Sequence, residues 1–183
     1  RRQAIGELRD VEMAKKLYAE AGYGPDNPLE IQLLYNTSEN HRKIAIAIAS
    51  MWKKALGVKM TLTNQEWKVY LDTRDQKKYE IARAAWIGDY VDPLNFLELF
   101  LSNAGERNDA GYNSAKFDGL LADAAKPANI DKRMNYLEQA EKVFLDDVAL
   151  IPIYHYTSQH MISKKVAGWE FNILDIHLSR YLS

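Results

Sequence analysis

Helix-like and strand-like segments alternate along most of this chain, and that alternation constrains its fold more than any other feature. Apolar spacing predicts helices, and alternating or β-branched runs predict strands. The expected helices cover residues 6–21, 39–56, 65–76, 94–101, 117–125 and 131–145. The expected strands cover residues 29–35, 58–63, 79–87 and 149–154. Strands joined by helices favour βαβ crossovers, so we predict an α/β fold with a mostly parallel sheet flanked by helices.

In a sheet of this kind, ligands bind beyond the carboxyl ends of the strands. Asn36 and Thr37 follow one predicted strand, and Gly88 and Asp89 follow another. A strand that ends in a small residue and an acid suits an extended peptide, because its backbone can pair with the peptide while the carboxylate takes the ammonium group. On local pattern alone, a buried strand with an ordinary capped turn remains the competing interpretation.

The composition excludes several function classes. Twenty-four Lys and Arg against 25 Asp and Glu give a net charge of −1, which is not typical of nucleic-acid binding. No apolar run reaches the roughly 18 residues of a membrane helix, so we expect no membrane insertion. Without Cys there is no disulfide and no Cys-ligated zinc. The four histidines lack a metal-ligand spacing and no nucleotide-binding motif occurs, so we expect no metal and no cofactor.

Two other function classes stay open from the residues alone. Asp89 and Asp92 could act as paired carboxylates in an acid–base hydrolase or transferase, although the sequence shows no nucleophile motif. A pure interaction module is the third option. The aromatic residues favour binding over catalysis, because Trp67 and Trp86 lie near predicted strand ends, where side chains line clefts.

Four segments, in order, carry a more specific signal. They are residues 36–41 (NTSENH), 64–68 (NQEWK), 71–74 (LDTR) and 82–90 (ARAAWIGDY). Together they resemble the peptide receptors of ABC importers in the extracellular solute-binding protein family 5. The resemblance runs over nearly the whole chain but covers only the carboxyl-terminal portion of the family, which indicates a fragment.

The resemblance implies one lobe of a type II periplasmic-binding-protein-like fold. Residues 1–156 would form the carboxyl-terminal peptide-binding lobe, and residues 157–183 a closing segment that returns to the missing amino-terminal lobe. It implies a periplasmic protein that is not an enzyme. Its expected partners are short peptides and, through the full-length protein, the permease subunits of an ABC importer. A murein tripeptide, a dipeptide or another small solute is the alternative ligand.

The resemblance also assigns roles to residues. Asp89 would bind the peptide ammonium group, and the backbone at Ala85 and Ile87 would pair with the peptide. Arg83 and His41 would meet the peptide carboxyl terminus, each at a different peptide length. The expected lining of the roomy side-chain pockets is Trp67, Arg74, Trp86 and Tyr156. The sequence departs from the family motif at Ala85, where Gly is expected, and at Ile87, where Cys is expected, so we expect a narrower backbone approach and a smaller first pocket.

Overall fold

A computed structural model describes residues 10–183 of the chain. The chain divides into two compact units, one that ends at Ala85 and one that begins at Trp86. Within the described residues, no helix is both long enough and apolar enough to cross a membrane.

Over residues 10–85, the first unit shows a three-stranded parallel sheet and three helices. Its elements in order are α1 Val11–Glu20, β1 Glu30–Asn36, α2 Glu39–Leu56, β2 Lys59–Gln65, α3 Trp67–Asp75 and β3 Ile81–Ala82. The strand order is β2-β1-β3, and both pairs are parallel. The predicted α/β fold with a parallel sheet and flanking helices is confirmed. The predicted residues 6–9 of the first helix lie outside the described part of the chain.

Local chemistry sets the helix ends in this unit. The Asp10 side chain accepts a hydrogen bond from the Met13 N–H at 2.9 Å and so caps α1. Gly57 ends α2 with a φ of 79°, a left-handed conformation that favours glycine. Beneath α2, Leu33 and Tyr35 of β1 pack with Ala45 as a buried cluster. The predicted bounds of α2 match the structure.

The second unit is built on two packed helices. Its regular elements are α4 Leu94–Leu97, α5 Ala115–Ala124 and α6 Ile130–Asp146, with short 3-10 turns at Glu98–Phe100, Gly105–Arg107 and Ser179–Tyr181. Phe117 of α5 and Phe144 of α6 are buried, with ring centroids 5.6 Å apart. Phe100 closes the same core at 4.4 Å from Phe144. This core fixes α4 and therefore the loop that precedes it.

The predicted strand over residues 149–154 is wrong. These residues have no regular structure, and Ile151, Ile153 and Tyr154 are between 49% and 57% exposed. An apolar run becomes a strand only where a neighbouring strand accepts its hydrogen bonds, and the second unit has no strand among its described residues. Pro152 also lacks the N–H that a ladder would need.

The predicted strand over residues 79–87 is much shorter in the structure. Only Ile81–Ala82 pair with β1, and one further bond joins the Arg83 N–H to the Leu34 carbonyl at 2.8 Å. This register places Ala84 opposite Asn36, the last residue of β1, so β1 offers no partner from Ala85 onward. Residues 83–88 have no regular structure.

Candidate functional site

In the first unit, the carboxyl ends of β1 and β2 form a polar rim. The Thr37 N–H donates to the Gln65 carbonyl at 2.8 Å, which keeps the two strand ends together. Three buried side-chain atoms at this rim have no hydrogen-bond partner among the described residues: Asn36 Oδ1, His41 Nδ1 and Gln65 Oε1. Buried polar atoms are normally paired, so the rim retains unused hydrogen-bonding capacity.

His41 and Arg83 influence each other at this rim. Burial lowers the pKa of His41 below its ordinary value, and the positive charge of Arg83 lowers the pKa further. The backbone of Arg83 is held on both sides, since its N–H donates to the Leu34 carbonyl and its carbonyl accepts from the Tyr70 hydroxyl. A guanidinium and an imidazole are therefore presented together, which is a suitable arrangement for an anionic ligand group.

Helix α3 carries an aromatic platform. Glu66 caps the helix by accepting from the Lys68 N–H at 2.9 Å, and Trp67 follows as the first helical residue. The Trp67 ring stacks on the buried Tyr70 ring at 5.7 Å, and the Arg74 guanidinium lies 5.3 Å from the Tyr70 centroid. Trp67 is still 52% exposed, so one face of the indole remains open for contact.

The segment that follows β3 offers unpaired backbone. The residues 84–87 are exposed, and Ile87 reaches 78%. No backbone hydrogen bond involves Ala85 or Ile87 within the described chain. Free N–H and C=O groups on an extended segment are what an added strand requires.

In the second unit, Asn95 organises the loop that carries Asp89. Asn95 is only 2% exposed, and its Oδ1 accepts from the Trp86 Nε1–H at 2.9 Å and from the Asp89 N–H at 3.0 Å. Gly88 lies so close that a Cβ there would be 3.2 Å from Phe96 and 3.3 Å from Asn95 Oδ1. The loop conformation is therefore set by α4 and not by a strand partner.

The two carboxylates of this loop have opposite environments. The Asp89 side chain is exposed and has neither a hydrogen bond nor an ion pair within residues 10–183. Asp92 makes a two-pronged ion pair with Arg133 at 2.8 and 2.9 Å, and it also accepts from the Leu94 N–H. The hydrogen bonds from Arg133 lower the pKa of Asp92. A carboxylate held in this way is poorly suited to acid–base exchange, whereas Asp89 is available to a cation.

Tyr156 lies in the irregular segment of the second unit. Its ring meets the Tyr154 ring edge to face at 5.1 Å, and it is 52% exposed. Trp86 is 43% exposed while its Nε1–H is bonded to Asn95. Both aromatic rings are anchored at one side and open at the other.

Comparison with known proteins shows to which family the chain belongs. Residues 2–108 match the model of the bacterial extracellular solute-binding proteins, family 5 Middle. The chain belongs to this family. The resemblance expected from the four sequence segments is thereby confirmed.

Individual solute-binding proteins of family 5 are similar over most of this chain. The periplasmic oligopeptide-binding protein OppA of Salmonella typhimurium is 47% identical over 158 residues, which are 86% of this chain and 29% of that protein. The structure of the murein tripeptide-binding protein MppA of Escherichia coli is 41% identical with a TM-score of 0.85, over 94% of this chain and 34% of the other. OppA of Haemophilus influenzae, solved in complex with the peptide RPPGFSPFR, is 37% identical with a TM-score of 0.84 over the same shares. The chain therefore spans about a third of the length of these relatives.

The predicted site residues of this family-5 chain are divided between its two units. The first unit contains His41, Trp67, Arg74, Arg83 and Ala85, and the second contains Trp86, Ile87, Asp89 and Tyr156. Within the first unit His41 meets the charge of Arg83, and within the second Trp86 and Asp89 share Asn95.

Sequence reasoning missed Asn95. Its only signal was an amide inside an otherwise apolar helical run, between Leu94 and Phe96. A polar residue in such a position needs partners when it is buried, and here the partners are the Trp86 indole and the Asp89 backbone.

Proposed function

We propose that this chain is the peptide-binding lobe of a periplasmic receptor that holds short peptides in extended form for an ABC importer. The observation that carries the proposal is the Asp89 carboxylate, which is exposed and unpartnered within the described residues on a loop fixed by a buried amide. A carboxylate that has no partner within the protein receives its hydrogen bonds from solvent or from a ligand. A free peptide amine is a suitable ligand.

Asp89 supplies affinity for the amino terminus in this proposal. A hydrogen bond to a charged group contributes about 1.5–3 kcal/mol net. The unpaired backbone of Ala85 and Ile87 pairs with the peptide main chain, which carries no side-chain information. Binding by main chain and terminus together is therefore largely independent of peptide sequence.

The carboxyl terminus of the peptide is assigned to Arg83 and His41. Each of the two would meet it at a different peptide length, and the effect of the Arg83 charge on the pKa of His41 supports their lying in the same part of the site. The open faces of four side chains would line water-filled pockets for the peptide side chains: Trp67, Arg74, Trp86 and Tyr156. Ordered water in wide pockets hydrates different side chains without demanding one shape.

The domain organisation is part of the same proposal. Residues 1–156 would form the carboxyl-terminal lobe, and residues 157–183 would return to an amino-terminal lobe of the full-length protein. Large apolar side chains of the closing segment are exposed in support of this, among them Phe171 at 79% and Ile173 at 81%. In the intact protein, the amino-terminal lobe would close over the bound peptide. The permease subunits would then bind this closed form of the protein.

A murein peptide is the second candidate ligand, because the similar MppA is described as a murein tripeptide-binding protein. For either ligand, Ala85 would narrow the approach of the ligand backbone and Ile87 would make the first pocket smaller. Competition between unmodified tripeptides and a murein tripeptide would rank the two ligands.

The full-length protein that carries this chain provides the test. Calorimetric titration with alanine tri- and tetrapeptides should give binding in solution, and their N-acetylated forms should bind about 10-fold to 100-fold more weakly. Mass spectrometry of the same mixtures should show intact peptide after long incubation. Equal affinity for acetylated peptides would refute the role of Asp89, and time-dependent cleavage would restore the hydrolase interpretation.

A further inference from the structure

A cluster of two histidines and one aspartate lies outside the proposed peptide site. His160 Nε2 is 2.7 Å and His177 Nε2 is 2.9 Å from the same Oδ1 atom of Asp175. One nitrogen from each ring and the carboxylate oxygen all lie within 4.8 Å of one another. Fifteen residues separate His160 from Asp175 in the sequence, so spacing rules for metal ligands could not detect the cluster.

The three side chains are held in place by their surroundings. The indole of Trp169 stacks on His177 with centroids 3.7 Å apart and planes 18° apart, and it meets His160 at 5.0 Å. Asn172 bonds both the N–H and the carbonyl of Ile176, which closes the loop around Asp175. Asp175 itself has a left-handed φ of 55°, an uncommon conformation outside glycine.

We propose that His160, Asp175 and His177 form a binding site for a divalent transition metal ion, with zinc as the ion of choice. Two imidazole nitrogens and one carboxylate oxygen are a ligand set that zinc accepts, with a fourth position left for water. Zinc–ligand bonds of about 2.0–2.2 Å at tetrahedral angles place ligand atoms about 3.3 Å apart. The two His–Asp separations of 2.7 and 2.9 Å would have to open by about half an ångström. The two imidazole nitrogens, which lie within 4.8 Å of each other, would have to come to the same spacing of about 3.3 Å.

Zinc binding would change the tautomer of both histidine rings. An ionised carboxylate only accepts hydrogen bonds, so each Nε2 that bonds Asp175 carries a proton in the metal-free form. On binding, each neutral ring presents its Nε2 lone pair to the ion and carries its single proton on Nδ1 instead, with no net release of protons.

In the chain itself, solvent reaches the cluster. The side chains of His160 and Asp175 are 24% and 37% exposed, and His177 lines an open hollow of about 430 Å³. A bound ion would link His160 to Asp175 and so restrict the motion of the segment between them, which contains Trp169. The proposal stands on these contacts alone and does not depend on peptide binding.

The test is zinc binding by the full-length protein that carries this chain, prepared without a polyhistidine tag. We expect calorimetry to show one zinc ion bound per chain. A chelator that competes for zinc extends the measurement to tight dissociation constants. His160→Gln, Asp175→Asn and His177→Phe should each weaken zinc binding by more than the roughly 10-fold to 100-fold that loss of an outer-shell partner causes. His177→Phe keeps an aromatic ring against Trp169, and Asp175→Asn keeps the shape of the acid.

His155→Ala is the matched control, since His155 is exposed and lies five positions before His160 in the sequence but does not belong to the cluster. It should bind zinc as the unsubstituted protein does. The proposal would be overturned if the three cluster substitutions left zinc binding unchanged. It would also be overturned if the unsubstituted protein bound no zinc at one equivalent of the ion, and the three residues would then form a hydrogen-bonded cluster only. If a variant fails to fold, X-ray absorption of the zinc-loaded protein decides, because fewer than two imidazole ligands would contradict the site.

Discussion

At the scale of single residues, Asn95 determines the position of Asp89. One buried oxygen serves both the Trp86 indole and the Asp89 backbone. Asn95→Leu would leave both donors without a partner, at a cost of about 1–3 kcal/mol in the free energy of unfolding. We expect that loss in urea unfolding of the variant, together with weaker peptide binding because the loop is no longer fixed.

The control for this substitution is Asn103→Ala, which changes an exposed amide in the same unit. It should leave both the stability and the peptide affinity near those of the unsubstituted protein. If Asn95→Leu were as stable and bound peptide as well as Asn103→Ala, the organising role of Asn95 would be wrong.

The ionisation of His41 gives a second prediction at the residue scale. Burial is the larger cause of its lowered pKa and the charge of Arg83 the smaller one. Arg83→Met should therefore raise the pKa of His41 in the ligand-free protein, but not up to the ordinary value of about 6.5. NMR titration of the His41 ring measures this directly, and an unchanged pKa would show that the two side chains do not interact.

The residue scale also shows what the sequence could reveal about the site. The acid at position 89 was recognisable because it follows a predicted strand and lies in a family-like segment. Its dependence on Asn95 was not recognisable, since a hydrogen bond between a loop and the next helix leaves no periodic signal. The same holds for His160 and Asp175, which only the folded chain brings together.

At the scale of elements, the ion pair between Asp92 and Arg133 connects the start of α4 to α6. Its side chains are 26% and 21% exposed, so the pair is partly shielded from water. Arg133→Met should lower the free energy of unfolding at neutral pH by about 1.5–3 kcal/mol, the range for hydrogen bonds to charged groups.

The pH dependence of that loss follows from the lowered pKa of Asp92. Because the folded state holds this carboxylate more strongly ionised than the unfolded state does, the stabilisation is complete above the unfolded pKa of about 3.9 and disappears as the pH falls through the lower folded pKa. Urea unfolding near pH 7 and again near pH 2 should show a large difference between Arg133→Met and the unsubstituted protein only at the higher pH. A difference of equal size at both pH values would contradict the account.

Elements were predictable where their signal was local. Helix α2 showed apolar spacing and a terminal glycine, and its predicted bounds match the structure. The strand predicted at residues 149–154 failed because apolar character alone does not supply a pairing partner. The strand after residue 79 was shortened for the same reason, since β1 ends before it can pair with Ala85.

At the scale of the whole molecule, the proposed closing segment should behave differently in the 183-residue chain and in the full-length protein. Its exposed apolar side chains, such as Phe171 and Ile173, would be covered by the amino-terminal lobe. Hydrogen exchange measured by mass spectrometry should therefore be slower for residues 157–183 in the full-length protein. Equal exchange in both proteins would contradict the proposed domain organisation.

The central claim is that one carboxylate binds the peptide amino terminus, and a thermodynamic cycle tests it most directly. The affinities of a free and an N-acetylated tripeptide are measured for the unsubstituted full-length protein, for Asp89→Asn, and for Asp26→Asn as an exposed-acid control. We predict that acetylation weakens binding by about 10-fold to 100-fold in the unsubstituted protein and the control, and has little effect in Asp89→Asn. An equal effect of acetylation in all three proteins would contradict the claim.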